Sequence, residues 1–591
     1  MENLKFFALG GLGEVGKNMY VIEYKEKIFV FECGSAEPVN DVDGYDSIIA
    51  DYSYLKNNID RVQGVFLTRF GERTTGAFLR IIKDLKVPYF GGRFTIDAIK
   101  RRYLVKTNES EEVDFRVVEA GDVLDFDGVE LNIFALTSNM PDTIGIALMV
   151  DVSKDPEIIE KKAVVFLPDF CFDQNIWGHF KTNFKHIAQI ASLGTLALFC
   201  PSFGATKIGH VTTDGKLDLA LRKIMSQKGR IFALMDAENV SGILQVIDAI
   251  YYQGRHVTII GYKARRLVEL AMELGYTRIN NELYLKKETL NDEKRNSDES
   301  VIIIAGDQID PYKSMQDIAS YNDKHYALRH DDNIVLLLEV PKKYEKELAK
   351  TWNYVWYVEA NIIDFDSKLM PIACAGSEDL KLVYSIFQPE YLIPISGDYR
   401  MIQAQKELAI DYGFHKENVI DVENGEVLIL NDEGYNFAPE KIETKEILFG
   451  IELESDINNY VARERESLAQ EGFAIVTGMI NLKERKICDE CEIKSSGFIS
   501  DISKETVYGE IKKTFNEVVS NYLKQRKVDY RELRQDLKIS ISKTILRVTK
   551  KKPVLIPVII DISASQEDGS LTDELSDEEL QRLVTIETPI N

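Results

Sequence analysis

Histidine is scarce in this chain of 591 residues: seven in all, at His179, His186, His210, His256, His325, His330 and His415. No two stand at H-x-H or i, i+4 spacing, the arrangement by which neighbouring imidazoles converge on one metal ion. Cysteine is equally sparse. Cys33, Cys171, Cys200, Cys374, Cys488 and Cys491 are mostly isolated in apolar segments. That argues against a disulfide framework and suits buried thiols in a reducing cytoplasm. Cys488-x-x-Cys491 lacks the second pair or nearby histidines that a zinc knuckle needs, and is read as two thiols in a loop between strands. No apolar run approaches the roughly 18–20 residues that cross a bilayer, and Met1-Glu2-Asn3-Leu4 is not a signal-peptide start. Net positive charge is missing too. The formal charge is −24, which argues against general affinity for nucleic acid, since phosphate binding is driven by Lys and Arg.

The composition that remains, 45% hydrophobic and 28% charged, is that of a soluble globular protein of roughly three or four domains. Charge is unevenly spread. Glu510 to Lys552 holds 13 Lys/Arg against 5 Asp/Glu, while Ser563 to Asn591 holds 8 acids and a single Arg. Within the first stretch, Lys524 to Lys552 is a candidate RNA-contacting face, the alternative being solvated outer faces of amphipathic helices; the second stretch reads as an acidic, solvated tail, disordered at least in part.

Short strands open the chain, with a glycine loop at Gly10–Lys17 between Leu4–Leu9 and the hairpin Met19–Tyr24, Lys27–Cys33. The loop spells Gly11-x-Gly13-x-x-Gly16, the letters of a dinucleotide fingerprint. That fingerprint needs a helix after the glycines to aim its N-terminus at pyrophosphate, and here β-branched and aromatic residues follow, so nucleotide binding is rejected. From Asp60 to Asp173 strands alternate with helices. Within that run, Phe66-Leu67-Thr68-Arg69-Phe70-Gly71-Glu72-Arg73-Thr74-Thr75-Gly76 places a tight turn after an apolar strand. Phe78, Ile81, Ile82 and Leu85 then mark a buried helix face.

A different rhythm follows, with long helical segments (Leu217–Ser226, Val240–Gln253, Arg265–Leu274) between parallel-type strands (Arg230–Leu234, Val257–Ile260, Val301–Ala305), as in an inserted βαβ domain. The first domain resumes through Tyr391–Ile395 and Val419–Leu430. In the last domain, strand Phe473–Ile480 precedes two amphipathic helices, the first carrying Val507, Ile511, Phe515, Val518 and Tyr522, the second Leu533, Leu537, Ile541, Ile545 and Val548. Strand Val554–Ile560 closes it.

Several of these segments resemble the ribonuclease J family. They are Phe7-Ala8-Leu9-Gly10-Gly11-Leu12-Gly13-Glu14-Val15-Gly16-Lys17-Asn18, Asp51-Tyr52-Ser53-Tyr54-Leu55, Val87-Pro88-Tyr89-Phe90-Gly91-Gly92, Pro394-Ile395-Ser396-Gly397-Asp398-Tyr399-Arg400-Met401 and Lys551-Lys552-Pro553-Val554-Leu555-Ile556-Pro557. The resemblance covers residues 4–561. It implies an α/β fold: a metallo-β-lactamase αββα sandwich interrupted by a β-CASP insertion, followed by a small α+β domain. The expected segments are 1–205 and 356–432 for the sandwich, 206–355 for the insertion, 433–447 for a linker, 448–562 for the C-terminal domain and 563–591 for the tail. The resemblance further implies RNA degradation or processing, two zinc ions and oligomeric assembly.

The ligand positions depart from the family pattern. Where the class writes H-x-H-x-D-H, this chain has Arg69, Gly71, Arg73 and Thr74. The next ligand histidine falls at Ser138 and the last at Ser396. The catalytic histidine segment has become Met370 to Gly376, with Cys374 at the histidine position. The S-N-x-H-R motif of the insertion has become Glu238-Asn239-Val240-Ser241-Gly242. Asp169 survives as the bridging carboxylate.

A two-metal hydrolase needs several imidazoles and carboxylates within about 2.0–2.2 Å of each ion. We therefore expect no metal centre and no catalytic residue. Asp169, with Glu32 near it, should instead find Arg69 or Arg73 as its counter-ion, since an unpaired buried carboxylate is costly. The competing reading gives Arg69 and Arg73, supported by Tyr399 and Arg400, phosphate contacts with RNA. The expected role is that of an inactive paralogue bound to an active ribonuclease J, or to itself, through the C-terminal domain, with RNA contact possible and no membrane. The alternatives are a stand-alone RNA-binding module and a ribonuclease with an altered metal site.

Overall fold

The computed structural model describes residues 2–38, 47–107, 113–153, 160–172, 178–210, 216–277, 283–285, 294, 296–366, 369, 374–449, 468, 471–497, 504–525 and 529–563. The tail from 564 onward, residues 370–373 of the altered histidine segment and residues 526–528 of the basic stretch lie outside them. The chain divides into one compact unit of residues 1–37 and 47–447 and a second of 38–46 and 448–591.

The first unit contains two facing sheets. One has eight strands, running Gly434–Phe437, Leu428–Asn431, Leu4–Gly10, Met19–Tyr24, Lys27–Phe31, Val62–Leu67, Tyr89–Gly91 and Phe115–Val117 in spatial order. The other runs Val123–Phe126, Val129–Ala135, Ile144–Asp151, Lys161–Phe166, Thr195–Pro201 and Tyr391–Ile395. Their inner faces share one core, in which Phe6, Ile22, Phe31 and Phe66 meet Ile133, Ile146, Phe166 and Phe199. The rings of Phe31 and Phe166 stack 4.8 Å apart between the sheets. Each such side chain contributes about 1.5–3 kcal/mol by leaving water.

The six-stranded sheet buries its outer face (Phe134, Met149, Val165, Leu198) under helices Phe184–Ala191, Ser377–Phe387 and Tyr399–Tyr412. Helices Phe78–Asp84 and Arg93–Thr107 belong to the edge of the eight-stranded sheet, where Phe78 packs on Tyr89 and Phe115. This is the αββα sandwich expected. The strand Met19–Tyr24 after the glycine loop is buried along its whole length, as the rejection of a nucleotide-binding helix there requires.

The insertion is a five-stranded, all-parallel sheet in the order His256–Ile260, Ser300–Gly306, Ile231–Asp236, Asn333–Leu336, Asn361–Ile363. Two boundaries move. Asn361–Ile363 pairs with Asn333–Leu336, so the insertion runs past residue 355. Gly434–Phe437 pairs with Leu428–Asn431, so the sandwich runs past residue 432 into the expected linker. A short edge strand carries little periodicity of its own, and the partner that fixes it lies elsewhere in the chain.

In the second unit, strand Phe473–Asn481 pairs antiparallel with Lys486–Ile487 and Glu492–Ser496 and parallel with Val554–Asp561. Helices Lys504–Leu523 and Tyr530–Thr549 cover one face of this sheet. Val507, Ile511, Phe515, Tyr522, Leu533, Leu537, Ile541 and Ile545 are buried as their spacing predicts. Val548 is not. It is 39% exposed, and Thr544 takes the inner position, with its hydroxyl 2.9 Å from that of Thr514. Among the described residues no helix is long and apolar enough to cross a membrane.

Candidate functional site

The turn after strand Val62–Leu67 has the frame its sequence indicated. Thr68 ends the strand, a one-turn helix covers Glu72–Thr75, and helix Phe78–Asp84 follows with Phe78, Ile81 and Ile82 buried. The turn is anchored by backbone bonds to the segment after Lys27–Phe31: Cys33 N–H donates to the Thr74 carbonyl at 2.7 Å, and Ala77 N–H to that of Cys33 at 3.0 Å.

Its side chains converge on Asp169. An Arg69 guanidinium nitrogen donates to Asp169 Oδ2 at 2.9 Å, and one of Arg73 reaches the same oxygen at 2.7 Å. Arg69 is 1% exposed and Asp169 4%. Arg69 also donates to Asn139 Oδ1 at 2.7 Å, and the Arg73 guanidinium lies over the Phe203 ring, 4.1 Å from its centroid. Burial disfavours the charge on Arg73, but Asp169 and Glu238 outweigh it and raise its pKa.

The other positions expected to match the family's ligands are engaged elsewhere. Gly71 has no side chain to offer. The Thr74 hydroxyl donates back to the Arg69 carbonyl at 2.9 Å. Ser138 Oγ lies 2.6 Å from Thr143 Oγ1 and accepts from Met140 N–H at 3.0 Å. Ser396 N–H donates to the Tyr20 hydroxyl at 3.0 Å, and Ser396 Oγ accepts from Asn18 at 3.4 Å. Glu32, buried beside them, accepts from Thr68 Oγ1 at 2.7 Å and Asn18 Nδ2 at 2.9 Å. Burial pushes its carboxyl up to about 7 against these two hydrogen bonds, and the charge of Asp169 adds to the rise.

Cys374 is buried, and Lys207 Nζ donates to its sulfur at 3.2 Å while also contacting Glu339 at 2.7 Å. Burial raises the thiol pKa despite Lys207, so the sulfur is held as the thiol and packs as a small residue. Tyr399 and Arg400 do not join Asp169. They stand exposed at the start of helix Tyr399–Tyr412, with Arg400 3.5 Å from Asp398. Cys488 and Cys491 are free thiols.

Sequence reasoning missed a second layer, contributed by the insertion. Glu238 Oε1 accepts from the Glu72 backbone N–H at 2.8 Å. Lys263 Nζ sits 2.7 Å from Glu238, 3.1 Å from Glu72 and 3.0 Å from Asp307. Arg102 donates to the same Glu72 oxygen, Oε1, at 2.9 Å and to Oε2 at 3.4 Å. Burial opposes ionisation of Glu72, but Lys263 and Arg102 outweigh it and bring its carboxyl down to about 2. Asn139 ties the layers together, donating to the Glu238 carbonyl at 2.9 Å while accepting from Arg69. These partners lie far apart in sequence, where local spacing carries no signal.

Two zinc ions do not fit these residues. Two guanidinium groups occupy the Asp169 carboxylate, and Gly71, Thr74, Ser138 and Ser396 offer no imidazole. Among the described residues no three His, Cys, Asp or Glu side chains are grouped to hold a metal ion.

Comparison with known proteins agrees with the fold. The family model described as Ribonuclease J, beta-CASP domain matches residues 228–350, and that described as Ribonuclease J C-terminal domain matches residues 460–562. Ribonuclease J 2 of Staphylococcus aureus (strain NCTC 8325 / PS 47) is 28% identical over 563 residues, covering 95% of this chain and 99% of the relative. Ribonuclease J 2 of Staphylococcus saprophyticus has the same identity and coverage. A crystal structure of a protein of unknown function from Enterococcus faecalis V583 aligns with 72% of this chain and 100% of its own, at 13% identity and a TM-score of 0.47. Sandwich, insertion and C-terminal domain together define a metallo-β-lactamase fold of the β-CASP type. Within that class, the chain is similar to the ribonuclease J family, through both matched domains and through relatives aligned over 95% of its length.

Proposed function

We propose that this ribonuclease J-like protein of RNA degradation and processing is a catalytically inactive paralogue that binds or regulates an active ribonuclease J. The observation that carries this reading is the pairing of Asp169 with both Arg69 and Arg73. A carboxylate that would bridge two cations has its charge met by two side chains of its own chain, which supports a protein without a metal cofactor and without hydrolysis. The partner is an active paralogue or a second copy, engaged through the C-terminal domain in the cytoplasm.

RNA contact belongs to the accessible groups. Tyr399 and Arg400 are exposed, as are Lys543 and Arg547 on helix Tyr530–Thr549. Arg69 is sealed against Asp169, so phosphate contact at the turn requires breaking that pair.

Metal analysis of the purified chain, together with incubation on 5′-monophosphorylated RNA, tests the reading. We expect substoichiometric zinc and manganese and no hydrolysis. Near-stoichiometric metal at the core with hydrolysis would establish an altered-site nuclease instead. Native mass spectrometry and pull-down should find an active paralogue or a stable oligomer. A monomer that binds RNA unaided would favour the stand-alone RNA-binding module.

A further inference from the structure

Among the described residues, the C-terminal sheet has an apolar face that helices Lys504–Leu523 and Tyr530–Thr549 do not cover. Strand Phe473–Asn481 sends Ala474, Val476 and Ile480 toward helices Lys504–Leu523 and Tyr530–Thr549, and the parallel strand sends Leu555 and Ile559. The alternate residues point the other way. Cα partners align Ile475 with Ile556, Thr477 with Val558 and Met479 with Ile560. Met479 is 41% exposed, Ile556 48% and Ile560 43%, and Ile562, just beyond the strand, 38%. A solvated sheet face ordinarily carries polar residues at these positions, as the neighbouring strand does with Glu492, Lys494 and Ser496, all exposed. The apolar patch is therefore confined to two strands, and such a patch marks a surface that something covers.

The edge beside it is closed to strand addition. Val554 N–H donates to the Gly472 carbonyl and Ile562 N–H to that of Ile480, each at 3.0 Å. Even-numbered residues of this strand thus aim their N–H groups at Phe473–Asn481, and odd-numbered ones face outward. Pro557 falls on an outward position and removes a donor from the middle of the free edge, a device that blocks edge pairing. What docks here docks on the face.

We infer that the occupant is the chain's own segment 571–586, folded back onto the face formed by Ile475, Met479, Ile556 and Ile560. Seven residues, 564–570, link the segment to Ile562 and Ser563, so its tether starts at the patch. Its apolar residues stand at Leu571 and Leu575, then at Leu580, Leu583 and Val584, the i, i+3, i+4 spacing that gathers side chains on one helical face. Asp573, Glu574, Asp577, Glu578 and Glu579 lie between them. Cations flank the patch at both ends. Lys551 and Lys552 precede strand Val554–Asp561 and Arg485 follows strand Phe473–Asn481, while Lys486 and Lys494 lie beside the patch paired with Glu484 and Glu492, pairs that the segment's carboxylates would exchange. The acidic segment complements them. A short tether holds it at an effective concentration on the order of millimolar, which a second copy at micromolar concentration does not match. The segment lies beyond the C-terminal-domain match, which ends at residue 562, so the docking is a property of this chain rather than of the shared domain.

Hydrogen–deuterium exchange on the full-length chain tests the inference. In the unaltered protein, peptides covering 571–586 should exchange at least tenfold more slowly than the same sequence free in solution, independently of protein concentration. The double substitution Ile556→Lys, Ile560→Lys changes only exposed positions and should abolish that protection. Leu580→Asp with Leu583→Asp should abolish it from the other side, which keeps the test valid if the strand variant misfolds. Exchange at the free-peptide rate in the unaltered chain would overturn the inference. So would protection that survives Ile556→Lys, Ile560→Lys in a folded protein, since the segment would then dock elsewhere. Protection lost on dilution would assign the face to a second copy and likewise refute it.

Discussion

Arg69 and Asp169 form a hydrogen-bonded ion pair of 2.9 Å from which solvent is almost wholly excluded. They lie 100 residues apart in sequence, and the pair joins the turn of one sheet to the end of a strand in the other. Removing one partner of such a pair leaves a buried charge unmet and costs about 3–5 kcal/mol. Asp169→Ala, which strands both guanidinium groups, should lower stability by that amount in thermal and urea melts. Arg69→Met should cost less, because Arg73 still meets Asp169. The double variant Arg69→Met, Asp169→Leu should recover much of the loss. A melt of Asp169→Ala indistinguishable from that of the parent chain would show that the pair does not hold the two sheets together.

Glu32 supplies a pH dependence of definite sign. Its carboxyl is raised from the ordinary value of 4.5 to about 7 by burial. The folded protein therefore holds a proton that the unfolded chain has already released. The stability tied to that proton is complete below about 4.5 and is lost as pH rises through about 7. Each tenfold difference in proton affinity between the folded and unfolded chain is worth roughly 1.4 kcal/mol. Glu32→Gln fixes the neutral form, and Thr68 can reverse its hydroxyl to keep one of the two hydrogen bonds. The stability of the Gln variant relative to the parent should therefore improve between pH 5 and pH 8. A constant difference across that range would place Glu32 in its ionised form throughout.

Local features were legible in the sequence and distant ones were not. The helix after the turn was readable because Phe78, Ile81, Ile82 and Leu85 repeat on one face, and all four are buried. Asp169 could be matched to Arg69 and Arg73 by charge balance alone, without knowing the path of the chain. Asn139, Phe203, Lys207 and Lys263 gave no signal. Each acts across a tertiary contact, such as the 191 residues between Glu72 and Lys263. The same physics moved the domain limits at 355 and 432, where a strand of three or four residues is defined by its neighbour. At the end of the second C-terminal helix, the apolar spacing chose Val548 over Thr544. The threonine is buried because Thr514 meets its hydroxyl.

Lys263 is the cation among three carboxylates that join the insertion to the turn. Burial works against its charge, but Glu238, Glu72 and Asp307 outweigh it and raise its pKa. Lys263→Met should leave Glu72, Glu238 and Asp307 repelling one another, with faster amide exchange across residues 71–76 and a lowered melting temperature. Burial already raises the Asp307 carboxyl, so acidification neutralises part of that repulsion. The defect should be smaller at pH 5 than at pH 8. Adding Glu238→Gln should reduce it further at pH 8. If Lys263→Met melted like the parent at both pH values, the cluster would be a solvated surface network rather than a clamp.

Two glycines separate close packing from helix propensity. A Cβ on Gly34 would lie 1.7 Å from the Arg73 carbonyl oxygen and 2.8 Å from the Asn18 nitrogen, and neither backbone atom can yield without moving the turn. Gly34→Ala should cost about 3 kcal/mol or more, at the upper end of overpacking penalties, and should disturb the Arg73 contact with Asp169. Gly509 lies inside helix Lys504–Leu523 with nothing within 4 Å of its Cβ position. There, alanine gains helix propensity without a clash, and Gly509→Ala should stabilise the C-terminal domain by about 0.8–1 kcal/mol. Melts followed by domain-resolved exchange distinguish the two. Opposite signs are expected, and a neutral Gly34→Ala would mean that the turn is loose enough to shift, against its backbone bonds to Cys33 and Asn18. The backbone of the turn is tightly packed, and the Asp169 ion pairs rest on side chains that it positions.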